Sequence, residues 1–580
     1  MVSLSLASCS DYLDCPTEDN INTSNYYKTA EQCRAGVNYL YNSPWYDFQR
    51  GYYRVGEVLS GNYYMGGSPY LTFTLDGNNE QLNNMSASLW AVNTHAATVY
   101  ENIKNSTGAP DDVKNACMGE ALTWKAFAYF YLVRSFGSVP IIHNPADEIG
   151  SQSATSMHKA KISTVYDYIV MLLERAIELL PEQDATKTGR IDKYCAEALL
   201  AKVYLTKAGF SEDNTTYNSG TYSYITCTAH QRNQADLDKA AQYALDVIEN
   251  SGRSLEPVYS DIFRGDHNVC GENLISWAWT ANGSWTVQNS LQSDLCITGF
   301  DEYGDCWGSY DGPSVDLQDA FGENALSQNR MNVDDRRKAT FMLPGDKYDY
   351  FYSDCGGFDY LKFLYNGYEA QGHKSNNKLQ NITGAGPVKH LYGDNADHIK
   401  YFQTAASKQR SSLWTHILRL ADVYLIYCEA KIGNSGSTTD AKACNLFYQV
   451  RHRSVKSYDK DPSSISWEDV WKERRLELAC EGDRWYDFVR RYYYDPQGAI
   501  SELKSQRRNG YDGEALNNVY ENYYKTGAWS VPSSLKYDDN TPAPNVTDRS
   551  FTLPLPSSDV VYNPLLMEAP QDFDLSSIKF

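Results

Sequence analysis

The segment from Glu120 to Gly137, EALTWKAFAYFYLVRSFG, is apolar nearly all round at helical spacing. Such a helix has no stripe to turn toward water, so other elements must pack around it. Gly137 stops it and Pro140 follows. Three more helical stretches come after: Val165 to Leu180, closed by Pro181, then Lys193 to Gly209, then Asp236 to Glu249. In each, Ala stands among larger residues at i, i+3 and i+4, as helices in close contact require.

Helix starts fall roughly 30 to 45 residues apart, a period typical of stacked helix pairs. Ala196-x-x-Leu-Leu-Ala-x-Val-Tyr204 resembles a tetratricopeptide helix, although the full repeat signature is absent. Residues 10–250 are therefore read as a helical scaffold. From 251 to 411 the periodicity fades. Gly, Asn, Asp and Tyr dominate, and Asn282-Gly283, Asp311-Gly312 and Asn366-Gly367 mark turns. So long an irregular stretch rich in rings reads as functional. Helices resume in 412–580, with Trp414 to Gly433, Asp440 to Arg453, and SWEDVWKERRLELACEGDRWYDFVRR capped by Ser466 and Asp469. The fold class expected is mainly α, one compact unit with the irregular region packed on a helix-pair scaffold.

Charge and composition exclude several roles. A net charge of −21 disfavours nucleic acid and anionic membrane faces. No run of 18 apolar residues occurs, so no transmembrane helix is expected. Aromatic residues reach 13%, with 47 Tyr, 19 Phe and 12 Trp, which suits uncharged polar ligands where the rings are not core.

At the start, Leu6-Ala7-Ser8-Cys9 resembles a bacterial lipobox, with Cys9 as the lipidated residue; residues 1–9 read as a lipoprotein signal cut short. Further motifs follow in order: Tyr12-Leu13-Asp14 with Pro16-Thr17; Ala126-Phe-Ala-Tyr-Phe130 leading through Leu132-Val133-Arg134 to Pro140; Arg419-Leu-Ala-Asp-Val-Tyr-Leu-Ile-Tyr-Cys-Glu-Ala430; Glu473-Arg-Arg-Leu-Glu-Leu478 with Glu481-Gly-Asp-Arg-Trp-Tyr-Asp487; and Leu553-Pro-Leu-Pro556 with Asn563-Pro564. Together they span nearly the whole chain, and it resembles the SusD-like (RagB/SusD) family of Bacteroidetes outer-membrane lipoproteins. The resemblance implies a non-catalytic, lipid-anchored protein on the extracellular face of the outer membrane. It would capture a glycan and act as a lid on a SusC-like TonB-dependent transporter. Peptide capture by the same kind of lid is the alternative. Because the family's ligand residues vary with the sugar, site residues must come from this sequence.

A glycoside hydrolase reading is less favoured. The cluster Arg474, Arg475, Glu477, Glu481, Asp483, Arg484, Asp487 and Arg490 alternates acids with arginines, which hold carboxylates ionised and unfit as general acids. No H-E-x-x-H, C-x-x-C or G-x-S-x-G occurs. No cofactor is expected, though Asp301, Asp305 and Asp311 share a Gly-rich loop that would suit structural calcium. Cys296 and Cys306 flank a loop and are a candidate pair.

The aromatic loops carry the ligand-binding candidates, since a sugar ring's C–H face lies flat on an indole or phenol. In Glu272 to Trp279, Ile275, Trp277 and Trp279 alternate as on a strand; Trp277 reads as core and Trp279 as a candidate. Trp285, past the Asn282-Gly283 turn, and Trp307 lead the set, with Tyr303, Tyr310 and Asn282 beside them. From the first half, Asn62, Tyr63 and Tyr64 lie in a Gly-rich aromatic loop that would face the same site.

Overall fold

The all-apolar segment forms the centre of a longer helix, Asp111–Phe136, in which every residue from Cys117 onward is buried. This computed structural model describes residues 26–146, 156–184, 187–281, 283–302, 306–328, 330–368, 372–373, 378–406, 409–535 and 545–580. The two cations in its buried part are accounted for: Lys125 Nζ donates to the His143 carbonyl, and Arg134 pairs with Asp483 at 3.2 Å. Gly137 closes the helix with φ 68°, a left-handed angle that glycine adopts without strain.

The scaffold is a row of helices. Glu80–Lys104 packs on Asp111–Phe136, that helix on Ile162–Leu179, then Lys193–Lys207, then Gln234–Asn250. The next helix in the row is Leu420–Ile432, which packs on Gln234–Asn250 and then on Ala441–Ser454. The intervening stretch is therefore an excursion from a continuous helical row. Caps fix the starts: Asp192 accepts from the Cys195 amide at 3.1 Å, and Ser466 and Asp469 form the expected capping box on Trp467–Glu477.

One expected helix needs correction. Trp414 to Gly433 divides into a strand, Thr415–Arg419, and the helix Leu420–Ile432. The strand pairs antiparallel with Asn273–Trp277, with register shifts near Leu418. Both strands run through the interior, where the buried N–H and C=O groups of one need the other as partner. That long-range pairing overrides the helical pattern of the sequence. All five residues of Asn273–Trp277 are buried, so the alternation there does not mark a wet face.

The alternating Arg/acid cluster is a buried ion network. Glu477 accepts from Arg419 at 2.6 Å and from Arg336 at 3.0 Å, and also from Arg453. Glu481 accepts from Arg419 at 2.8 Å and from Lys389 at 2.7 Å. Burial alone would raise these carboxyls, but the surrounding cations win and hold both below the usual range. Asp422 follows the same logic: burial opposes ionisation, yet Lys202 and Arg474 bring it down to about 2.

Candidate functional site: an aromatic face on the inserted region

Trp285 and Trp307 are the most exposed of the twelve tryptophans, at 43% and 45%. Trp285 is set against the segment that precedes a short helix of the first half, Phe48–Tyr53, and Trp307 is linked to that helix through Asp294 and Arg50. Tyr46, just before it, meets the Trp285 ring edge-on with centroids 6.0 Å apart. Trp285 opens a single helical turn, Trp285–Val287, which is tied down at both ends. Ser43 Oγ and Thr286 Oγ1 share a 2.6 Å hydrogen bond, and the Thr280 amide donates to the Val287 carbonyl at 2.8 Å.

Arg50 lies four residues beyond Tyr46, inside the helix. Its Nε donates to Asp294 Oδ2 at 2.8 Å, while Trp307 Nε1 donates to Asp294 Oδ1 at 3.1 Å. Asp294 is buried, so the Trp307 indole is aimed by a carboxylate held from its other oxygen. Burial raises the Asp294 carboxyl, and Arg50, Arg54 and the indole N–H oppose that rise. The chain must also pass close here. A Cβ on Gly308 would stand 2.2 Å from the Leu295 carbonyl oxygen, so only glycine fits beside Trp307.

The Tyr64 loop joins the same face. Tyr63–Tyr64 pairs with Gly312–Pro313, and the Gly66 amide donates to Asp311 Oδ1 at 3.3 Å. Burial pushes Asp311 up to about 6. Tyr64 is half-buried beside it, and Tyr310 is 63% exposed. Trp285, Trp307 and Tyr310 are exposed, Arg50, Asp311 and Tyr64 are half-buried, and Tyr46 is buried. A groove of about 460 Å³ lined by Phe73, Asp76, Arg549 and Leu553 shares none of these residues.

Three expected site residues are corrected by the structure. Trp279 is buried and gives its Nε1–H to Thr415 Oγ1 at 3.0 Å, because the strand pairing turns it inward. Asn62 is buried too: its Nδ2 donates to Glu57 Oε2 at 2.9 Å and its Oδ1 accepts from Arg475 Nε at 2.9 Å. Tyr63 is fully buried, since successive strand residues face opposite ways and Tyr64 takes the outer side. Trp277 is core, as its alternation implied, and stacks on Trp45. Asn282, Tyr303 and Cys9 lie outside the described residues.

Asp301 accepts from the Cys306 thiol at 3.1 Å, Asp311 turns to Gly66, and Asp305 lies outside the described residues. Cys296 and Cys306 are both buried free thiols, brought into the same interior by the Gly308 amide, which bonds to the Cys296 carbonyl at 2.8 Å. Sequence reasoning missed Tyr46, Arg50 and Asp294. The i, i+4 spacing of Tyr46 and Arg50 was visible, but nothing local showed which surface that face would meet.

Fold and face together define a class: a row of paired helices whose inserted loop region presents exposed aromatic rings held by buried polar partners. The chain belongs to the SusD family, whose model matches residues 197–571. A second model, described as starch-binding associating with outer membrane, matches 72–205. A SusD-like protein of Bacteroides ovatus is 31% identical over 98% of this chain and 96% of its own length. A structure solved with a xylogluco-oligosaccharide is similar over 94% of this chain and 99% of that one, at 27% identity and TM-score 0.75. A laminarin-binding SusD-like protein shares the fold over 82% of this chain and 94% of its own, at 21% identity and TM-score 0.58.

Proposed function

We propose that this protein captures a β-glucan chain of the xyloglucan type on the outer surface of the outer membrane and passes it to a TonB-dependent transporter. The observation that carries the reading is the pair Trp285 and Trp307, both half-exposed, Trp285 against Tyr46 and Trp307 linked through Asp294 to Arg50. A flat face of rings suits a polymer lying along it, and aromatic side chains give contact area at small rotamer cost. Arg50 and Asp311 stand between and beside the rings as partners for hydroxyl groups. The relative solved with a xylogluco-oligosaccharide supports the choice of glycan. The buried Arg/acid network supports binding without hydrolysis, since its carboxylates are held ionised. Cys9 would carry the lipid anchor that keeps the protein at the membrane surface.

Calorimetry against xyloglucan, laminarin, starch and a peptide digest tests the reading. Xyloglucan should bind, and Trp285→Ala with Trp307→Ala should abolish binding while the circular dichroism spectrum is kept. Binding of the peptide digest alone would replace glycan with peptide as the cargo. Release of reducing ends from bound xyloglucan would make the protein a hydrolase. Loss of lipid labelling in Cys9→Ala checks the anchor.

A further inference from the structure

A second cluster of chemistry lies at the start of the helix Asn395–Phe402. Asp394 caps that helix, its Oδ1 accepting from the Asp397 amide at 2.9 Å. Its other oxygen, Oδ2, makes no hydrogen bond and lies 3.4 Å from His373 Nε2. His373 is held by reciprocal backbone bonds with Tyr368, at 2.9 and 3.2 Å, and its ring stacks on Tyr352 with centroids 4.2 Å apart. The side chains of His373 and Asp394 are 0% and 1% exposed, and neither imidazole nitrogen makes a well-directed hydrogen bond, Nε2 facing Asp394 Oδ2 at 3.4 Å. A buried imidazole whose nitrogens lack well-directed partners is costly unless something else takes one of them.

Glu302 reaches the same point and accepts from the Asn395 amide at 3.2 Å through both oxygens. One ligand atom each from Glu302, His373 and Asp394 lies within 4.8 Å of the others, as do atoms of Asp354, Cys355 and Asp394. Among the described residues no Lys or Arg pairs with Glu302, Asp354 or Asp394, although Asp294, Asp422, Glu477 and Glu481 each have such a cation. Among the described residues the basic group recorded beside this charge is the His373 imidazole, 3.4 Å from Asp394 Oδ2.

We propose that Glu302, His373 and Asp394 bind a divalent transition-metal ion, Zn²⁺, with Cys355 or Asp354 able to complete the shell. Imidazole nitrogen and carboxylate oxygen at this spacing suit zinc bonds of about 2.0–2.2 Å after small side-chain movements. Calcium and magnesium select all-oxygen shells, so the imidazole argues against both. The ion would pin Glu302, five residues before Trp307, to the start of the Asn395–Phe402 helix.

The test uses the whole chain, stripped with chelator, titrated with Zn²⁺ by calorimetry and then analysed for metal after buffer exchange. About one zinc per chain is expected, with no binding of Ca²⁺ or Mg²⁺. His373→Gln should weaken zinc binding about tenfold or more. Asp394→Asn should do the same while keeping the helix cap, because Asn caps as well as Asp. Circular dichroism confirms that the variants fold, and His373→Gln, which leaves the cap untouched, decides if Asp394→Asn does not. Absence of zinc in the parent chain, calcium in its place, or unchanged zinc affinity in His373→Gln would overturn the proposal.

Discussion

Replacing Asp294 by Asn tests whether the platform works because Trp307 is held in place. The change keeps the side chain's shape but removes the charge that Arg50 and the indole share at 2.8 and 3.1 Å. Trp307 is 45% exposed, or about 110 Å² of a side chain near 250 Å². Covering roughly half of that area at ~25 cal/mol per Å² gives ~1.4 kcal/mol, so Trp307→Ala should weaken xyloglucan binding about tenfold. Freeing the ring instead of deleting it makes the ligand order one side chain on binding, ~0.5–1.5 kcal/mol, or roughly 2- to 13-fold. Losing the charge-assisted bond to Arg50 should also lower stability by about 1.5–3 kcal/mol. Calorimetry on the parent, both single variants and the double variant closes the cycle. If Asp294 acts through the indole, Asp294→Asn should cost nothing further in the Trp307→Ala background. Full affinity in Asp294→Asn alone, or an equal loss in both backgrounds, would refute the reasoning.

Trp279→Phe should leave glycan affinity unchanged and lower the unfolding midpoint, since it removes the bond to Thr415 and leaves a small void in the core. Glu477→Gln should cost about 3–5 kcal/mol in denaturant unfolding, because Arg336, Arg419 and Arg453 then lie buried without their shared carboxylate. The Asp422 carboxyl titrates lower when folded than its ordinary 3.8, at about 2. Its contribution is therefore complete above pH ~4 and is lost as pH falls toward ~2, which an acid titration followed by circular dichroism should show as a transition softened in Asp422→Asn. Gly308→Ala should weaken xyloglucan binding by shifting the Trp307 backbone, the Cβ being placed 2.2 Å from the Leu295 oxygen.

The helical scaffold was legible because each of its helices carries its own period, caps and stops. Glu120 to Gly137 declared a buried helix by having no polar stripe, and Ser466 with Asp469 declared a cap by spacing alone. Thr415–Arg419 was not legible as a strand: its partner lies some 140 residues away, and pairing rather than propensity decides its shape. The site divides the same way. Trp285 and Trp307 stood out because no apolar period was present to bury them, and both remain outside. Asn62, Tyr63 and Trp279 sat in equally turn-rich or terminal positions, but Glu57, the Tyr64 pairing and Thr415 draw them in. Such contacts come from distant segments and leave no local mark. Asp294 is the extreme case, an ordinary acid in sequence whose role appears only once Arg50 and Trp307 meet it.

The antiparallel strands Asn273–Trp277 and Thr415–Arg419 stand at the two ends of the excursion, where it leaves and rejoins the helical row. They act as a clasp at its base. The entropy of closing a loop grows only with the logarithm of its length, so once the clasp is shut, residues gained or lost beyond it weigh little on folding. The material past the clasp can therefore change length and ring content between relatives while the row of helices keeps its spacing. A lineage of such proteins can move from one polymer to another by rewriting this closed segment and the few first-half side chains, Tyr46 and Arg50 among them, that it rests upon.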